Sequence, residues 1–160
     1  MTACSTFNRI RRHTMPRFAR LFEAAADTLN AFYAAIADGN LEATMDLWID
    51  EEFVSYIRPD GPHLHGLERI RAGLAAQFQR GRMTIEALDV RVYDSLGTVV
   101  YAAAEAHRGP EHAESMVFST YVMVHERGEW RIAHIHASPM PEETAAQFVA
   151  KMRRGRGPLH

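Results

Sequence analysis

Between Trp130 and Pro139 the chain reads WRIAHIHASP, which sets His134 and His136 two residues apart in an alternating apolar run. Residues two apart on a strand share a face, about 6.6 Å apart along the chain, so two imidazoles so placed can act together. They can ligate a metal, form an acid/base pair, or serve as hydrogen-bonding groups of a sheet. His63 and His65 repeat the spacing in HLH and are the candidates for a further metal ligand. No Cys, Asp or Glu adjoins either pair in a recognised metal motif, and lone HxH pairs match by chance. Neither a metal nor any other cofactor is therefore expected, and hydrogen-bonded histidines of a sheet or dimer face are the favoured reading. Alternation assigns Trp130, Ile132, His134 and His136 to one face and Arg131, Ala133, Ile135 and Ala137 to the other. With Arg127-Gly128 as a two-residue turn, His134 is expected opposite Tyr121 and His136 opposite Ser119.

A second polar set is Tyr33, Trp48, Tyr56, Arg58, His63 and His65, expected around the mouth of a ligand pocket. Tyr and Trp combine an apolar body with one polar handle, which suits a pocket wall and an ordinary half-buried position alike. Glu105 and Asp46 become general-base candidates if buried, because burial raises a carboxyl pKa. The segment YAAAEAH, with Ala133 and Ala137 further on, is unusually small for strands. Such residues admit close helix packing or leave a modest apolar cavity. HRGPEH, His107 to His112, reads as a polar hairpin loop. No nucleophile elbow, phosphate loop or dinucleotide fingerprint is present.

The elements that must position these groups follow from periodicity. Phe18, Leu21, Phe22, Ala25, Leu29, Phe32 and Ile36 mark one face of a helix. Asp38-Gly39-Asn40 ends it and caps a short second helix carrying Leu41, Met45 and Trp48. A strand over 52–58, a break at Pro59-Asp60-Gly61-Pro62, and a third helix with Leu67, Ile70, Leu74 and Phe78 inward come next. After Gly81 the period becomes two, in strands near 83–94, 97–107, 115–125 and 130–138. A last helix is expected over 142–153, acidic at its start and basic at its end. The order α-α-β-α-β-β-β-β reads as an α+β domain, a curved antiparallel sheet wrapped around three helices in a cone, with a C-terminal helix added. Residues 1–17 form an N-terminal extension, 18–140 the domain, and 141–160 the final helix and tail.

The 160 residues suit one domain. Hydrophobic residues make up 47% and charged residues 24%, ordinary for a soluble globular chain. A net charge of −2 offers no field for nucleic acid or an anionic membrane. Arginines and lysines gather at the two ends, where solvated tails and helix termini account for them. The single cysteine, Cys4, rules out an intrachain disulfide, and no secretory signal is visible, so a cytoplasmic location is expected.

FYAAIADGNLEATMDLWIDEEFVSYIRPDGPHLHGLERIRAGL, together with GEWRIAHIHAS, resembles the nuclear transport factor 2-like superfamily, in particular its SnoaL-like branch. The final strand is also similar to that of the calcium/calmodulin-dependent protein kinase II association domain. The resemblance spans about Phe22 to Pro139. It implies a conical pocket between helices and concave sheet face, and a homodimer through the sheet. Where the kinase association domain has two pocket arginines, this chain has Val122 and Ala137. A basic, carboxylate-binding pocket of that type is not expected, and Val122, Ala133 and Ala137 are read as lining a mostly apolar one.

The expectation is therefore a SnoaL-like protein binding a small, mostly apolar organic molecule. If catalytic, it works by metal-free acid/base isomerisation, dehydration or cyclisation, on residues the sequence does not identify. The alternatives are a non-catalytic dimerisation or assembly module, and a metal-dependent enzyme built on the HxH pairs. Dimerisation is expected to cover an outer patch of Trp130, Ile132, Tyr121 and Met123.

Overall fold

The computed structural model describes residues 16–110 and 113–155, with side chains from Ala24 onward. Of the N-terminal extension expected over residues 1–17, residues 1–15 lie outside them. Helix α1 (Pro16–Asp38) buries Ala25, Leu29, Phe32 and Ile36, the stripe its periodicity predicts. Gly39, at φ 64°, takes the left-handed turn that ends it. The Asn40 side chain then accepts from Ala43 N at 3.0 Å and caps α2 (Leu41–Met45). After α2 come β1 (Ser55–Ile57), β2 (His63–His65), α3 (Leu67–Arg80), β3 (Thr84–Ser95), β4 (Thr98–Arg108), β5 (Glu114–Glu126), β6 (Glu129–Pro139) and α4 (Glu142–Gly155).

The six strands form one curved sheet in the order β2-β1-β6-β5-β4-β3. At the sheet edge the strand expected over 52–58 shortens to Ser55–Ile57, and two pairings differ from the sequence reading. His63–His65, which the sequence reading assigned to neither helix nor strand, is a strand paired antiparallel to β1, and β1 itself runs parallel to β6. A three-residue strand leaves too little alternation to be seen by pattern, and a parallel edge pairing is a long-range choice that no local signal carries.

The concave face is filled by α1, by α3 with buried Ile70 and Leu74, and by Trp48, which pairs with Ile132 in an isolated parallel bridge. Gly73, inside α3, lies where a Cβ would come within 2.5 Å of Leu64 Cδ1, so the missing side chain lets β2 seat against the helix.

The β5–β6 hairpin turns at Arg127-Gly128, both with positive φ (49° and 82°), as expected for a two-residue connection. The register beyond the turn does not follow. Met123 pairs with Ile132, but Val122 pairs with His134, so Ala133 is an extra residue on β6. The bulge reverses the facing of everything after it. Trp130 and Ile132 point into the core, and so do Ile135 and Ala137; His134 and His136 point out. His134 stands opposite Val122 and His136 opposite Thr120, not Tyr121 and Ser119.

The outer apolar patch assigned to Trp130, Ile132, Tyr121 and Met123 is thus corrected: each is at most 6% exposed within its own chain. The outer face of β5 instead carries Phe118, Val122 and Val124. Phe148 of α4 leans on Phe118 there, with ring centroids 6.3 Å apart.

Candidate active site

On β4 the inward side chains are Tyr101, Ala103, Glu105 and His107, all buried. Glu105 has no exposure at all, and a carboxylate moved into a core without partners is costly. Here four donors converge on it. Tyr33 of α1 and Tyr121 of β5 donate their hydroxyls to Oε1, each at 2.7 Å. Ser119 of β5 donates to Oε2 at 2.7 Å, and His107 Nε2 lies 2.7 Å from the same oxygen. Every lone-pair direction is used, which suits an acceptor-only, ionised carboxylate. Burial above all pushes the Tyr33 and Tyr121 phenols far above their ordinary range, and the Glu105 charge adds to it. Both rings are therefore fixed as O–H donors. They stand edge to face, 5.9 Å apart, and Phe32 packs edge-on against Tyr121.

His107 is 6% exposed and stands between this network and a cavity of about 400 Å³. With three hydroxyls already donating to Glu105, an Nε2–H completes its set of donors, and Nδ1 is then the ring nitrogen that keeps a lone pair. A carboxylate that fixes the tautomer and faces the imidazolium is the arrangement that makes histidine an effective general base. The walls are largely apolar, from Met83, Pro110, Met116, Val117 and Pro139. Tyr56 and Arg58 of β1 and its exit, and Arg80 at the end of α3, add polar groups. Gly81, at φ 141°, closes the wall where a Cβ would meet Pro110 Cγ at 2.4 Å, so both its backbone angle and its space require glycine.

The structure distributes the sequence candidates unevenly. Tyr56 and Arg58 line the cavity, and Tyr33 stands behind it, holding Glu105. Trp48 is buried against Tyr56, ring centroids 6.0 Å apart, and borders a separate cleft of about 580 Å³ with Asp46 and Arg71. That cleft is larger but is lined mostly by charged side chains and contains none of the Glu105 network. Ala133 and Ala137 are buried on the inner face of β6 away from the cavity wall. Val122 faces out and cannot line a concave pocket. His63 and His65 also face out, with His134 and His136, across β2, β1 and β6. His134 Nδ1 lies 2.6 Å from Ser55 Oγ, a hydrogen bond to a different hydroxyl from the one expected. Burial first, then the neighbouring His136 and His63, hold the His134 pKa below its ordinary value. Among the described residues, no group of three or more His, Cys, Asp or Glu is placed to hold a metal ion.

His107 ends the strand expected over 97–107 but also opens HRGPEH, which reads as a loop, and was not singled out. The available signal was the alternation of β4 itself: Glu105 and His107 continue the inward series of Tyr101 and Ala103.

The comparisons bear on the fold. A crystal structure of a provisionally assigned dehydratase of the nuclear transport factor 2-like family from Streptomyces avermitilis is 22% identical, with a TM-score of 0.69 over 75% of this chain and 97% of that one. A provisionally assigned calcium/calmodulin-dependent protein kinase type II association domain from Thiobacillus denitrificans is 27% identical, with a TM-score of 0.64 over 72% and 94%. A ketosteroid isomerase-like protein from Erwinia carotovora atroseptica is 15% identical, with a TM-score of 0.62 over 74% and 95%. No curated protein matches the chain. No helix among the described residues is long and apolar enough to cross a membrane. The profile of the SnoaL-like domain matches residues 25–142, from the buried face of α1 to the start of α4 and across the whole sheet. The chain belongs to the SnoaL-like domain family, and its fold is that of the nuclear transport factor 2-like structures it superposes on.

Proposed function

We propose that this protein binds a small, mostly apolar organic molecule in the 400 Å³ cavity and moves a proton on it with His107. The observation that carries the reading is the buried Glu105–His107 pair, closed at 2.7 Å, with the imidazole at the cavity wall. A C–H made acidic by an adjacent carbonyl gives its proton to Nδ1. The imidazolium so formed keeps Nε2–H on the Glu105 carboxylate, which stabilises its charge. Return of the proton to another carbon completes an isomerisation; its delivery to a departing hydroxyl completes a dehydration. The apolar walls keep water from competing for the proton. The same reading includes a cytoplasmic location and a homodimer paired through the outer sheet face, where Phe118 is 39% exposed.

The test is deuterium uptake from heavy water at the α-carbons of a panel of small apolar ketones, esters and acids, followed by NMR. Wild type should accelerate exchange on some members, and His107→Gln should lose about two orders of magnitude or more of that rate. Exchange that is absent across the panel, or unchanged in His107→Gln, would overturn the assignment.

A further inference from the structure

Arg58 leaves β1 and enters the cavity wall with its side chain only 10% exposed. A guanidinium buried to that degree needs its five N–H donors answered and its charge balanced. Its own chain does this incompletely. Nη1 donates to the Gly73 carbonyl at 3.1 Å. Nε lies 3.6 Å from Asp60 Oδ1, beyond good hydrogen-bond distance, and the Asp60 side chain is 70% exposed, so water screens much of that attraction. Arg80 borders the same cavity from the end of α3. Two arginines thus line one small, largely apolar space, and the Asp60 carboxylate beside Arg58 is loosely held and solvated. The remaining negative group, Glu105, is already saturated by its four donors.

We infer that the ligand is an apolar molecule bearing one carboxylate, which pairs with the Arg58 fork while Arg80 faces it from the rim. Resting on the proton-transfer reading above, this names its substrate class. A planar carboxylate matches the guanidinium geometry through two parallel N–H···O bonds, and a compact cation would not give the same register. Anchoring at Arg58 leaves the apolar remainder to fill the walls formed by Met83, Met116 and Val117 and brings a carbon toward His107. The positions that correspond to pocket arginines in the kinase association domain, Val122 and Ala137, play no part. The charge comes from β1 and α3 instead.

The probes are trans-cinnamate and its neutral isostere cinnamamide, titrated by calorimetry and ligand-observed NMR. Wild type should bind cinnamate at least about tenfold more tightly than the amide, the value of one good charge-assisted pair. Arg58→Gln should bring the two within about threefold of each other, and Arg80→Gln should narrow the gap partly. Asp60→Asn, which removes the internal competitor and leaves the exposed loop otherwise intact, should tighten cinnamate further. His107→Gln should keep the preference. The inference is overturned if neither probe saturates up to about 10 mM, if both bind equally, or if the preference is untouched in Arg58→Gln. Should Arg58→Gln not fold, unchanged affinities in both Asp60→Asn and Arg80→Gln overturn it. A preference lost in His107→Gln alone would place the anion on the imidazole and overturn it too. Loss of the carboxylate preference with His107-dependent exchange intact removes only this inference. A carboxylate preference without any exchange removes only the proton-transfer reading.

Discussion

Replacing Glu105 tests whether the four converging hydrogen bonds hold the core and set the His107 tautomer together. Hydrogen bonds to a charged group contribute about 1.5–3 kcal/mol each, and neutral ones about 0.5–1.5. Glu105→Gln keeps the shape and removes the charge. Its amide nitrogen fits the Oε2 side, where the Ser119 hydroxyl can rotate to accept and His107 can move its proton to Nδ1. Both tyrosines continue to donate to the remaining oxygen. Four bonds weakened by about 1 kcal/mol each give about 4 kcal/mol, and relief from burying an ion returns part of it, so about 1–2 kcal/mol should remain. Glu105→Ala leaves three hydroxyls and an imidazole without their acceptor, at about 1–3 kcal/mol apiece, and opens a cavity. A loss above about 4 kcal/mol is expected. At about 2–4 °C per kcal/mol for a domain of this size, melting followed by circular dichroism should fall by about 2–8 °C for Gln and by more than about 8 °C for Ala. The tautomer has its own readout: 15N NMR of the His107 ring should show the proton on Nε2 in wild type and on Nδ1 in Glu105→Gln. An Ala variant no less stable than Gln, or an unchanged tautomer, would refute the reasoning.

Further outcomes follow from the same structure. Ile132→Ala should cost about 2–5 kcal/mol in urea denaturation, because Ile132 is fully buried on the inner face ahead of the bulge, whereas Val122→Ala should cost under about 1 kcal/mol as a half-buried outer residue. A near-zero cost at Ile132 would contradict the register. Gly81→Ala should lower stability by about 1–3 kcal/mol through its φ of 141° and its approach to Pro110, and a neutral result in thermal melting would show that the turn relaxes freely. His134 has its pKa held low in the folded state, so folding favours its neutral form. The stability it contributes is present above the unfolded value near 6.5 and is lost as pH falls through the lower folded value. Melting temperature should therefore drop between about pH 7.5 and pH 5, less so in His134→Asn, and equal drops in the two proteins would contradict this.

Much of the architecture was legible in local pattern. The stripe Ala25, Leu29, Phe32, Ile36 specified α1, Asn40 its successor's cap, and period-two runs the four long strands, because apolar spacing reports directly on which side of an element meets the core. The resemblance to the SnoaL-like branch also rested on linear segments and is matched by the family profile over residues 25–142. What local pattern did not contain was register and convergence. Ala133, one extra residue on β6, put Ile132 and His134 on opposite faces, and nothing in WRIAHIHASP distinguishes a regular strand from a bulged one. The pairing of β1 beside β6 then gathered His63, His65, His134 and His136 on the outside of the sheet. Glu105 was visible as a carboxyl in an alanine-rich strand, but its partners lie 14, 16 and 72 residues away, apart from His107, two residues on. Only tertiary packing decides whether such a carboxyl is a surface charge or the centre of a buried network. The physical reason is that burial and hydrogen-bond saturation depend on every neighbour at once, whereas periodicity concerns one element at a time.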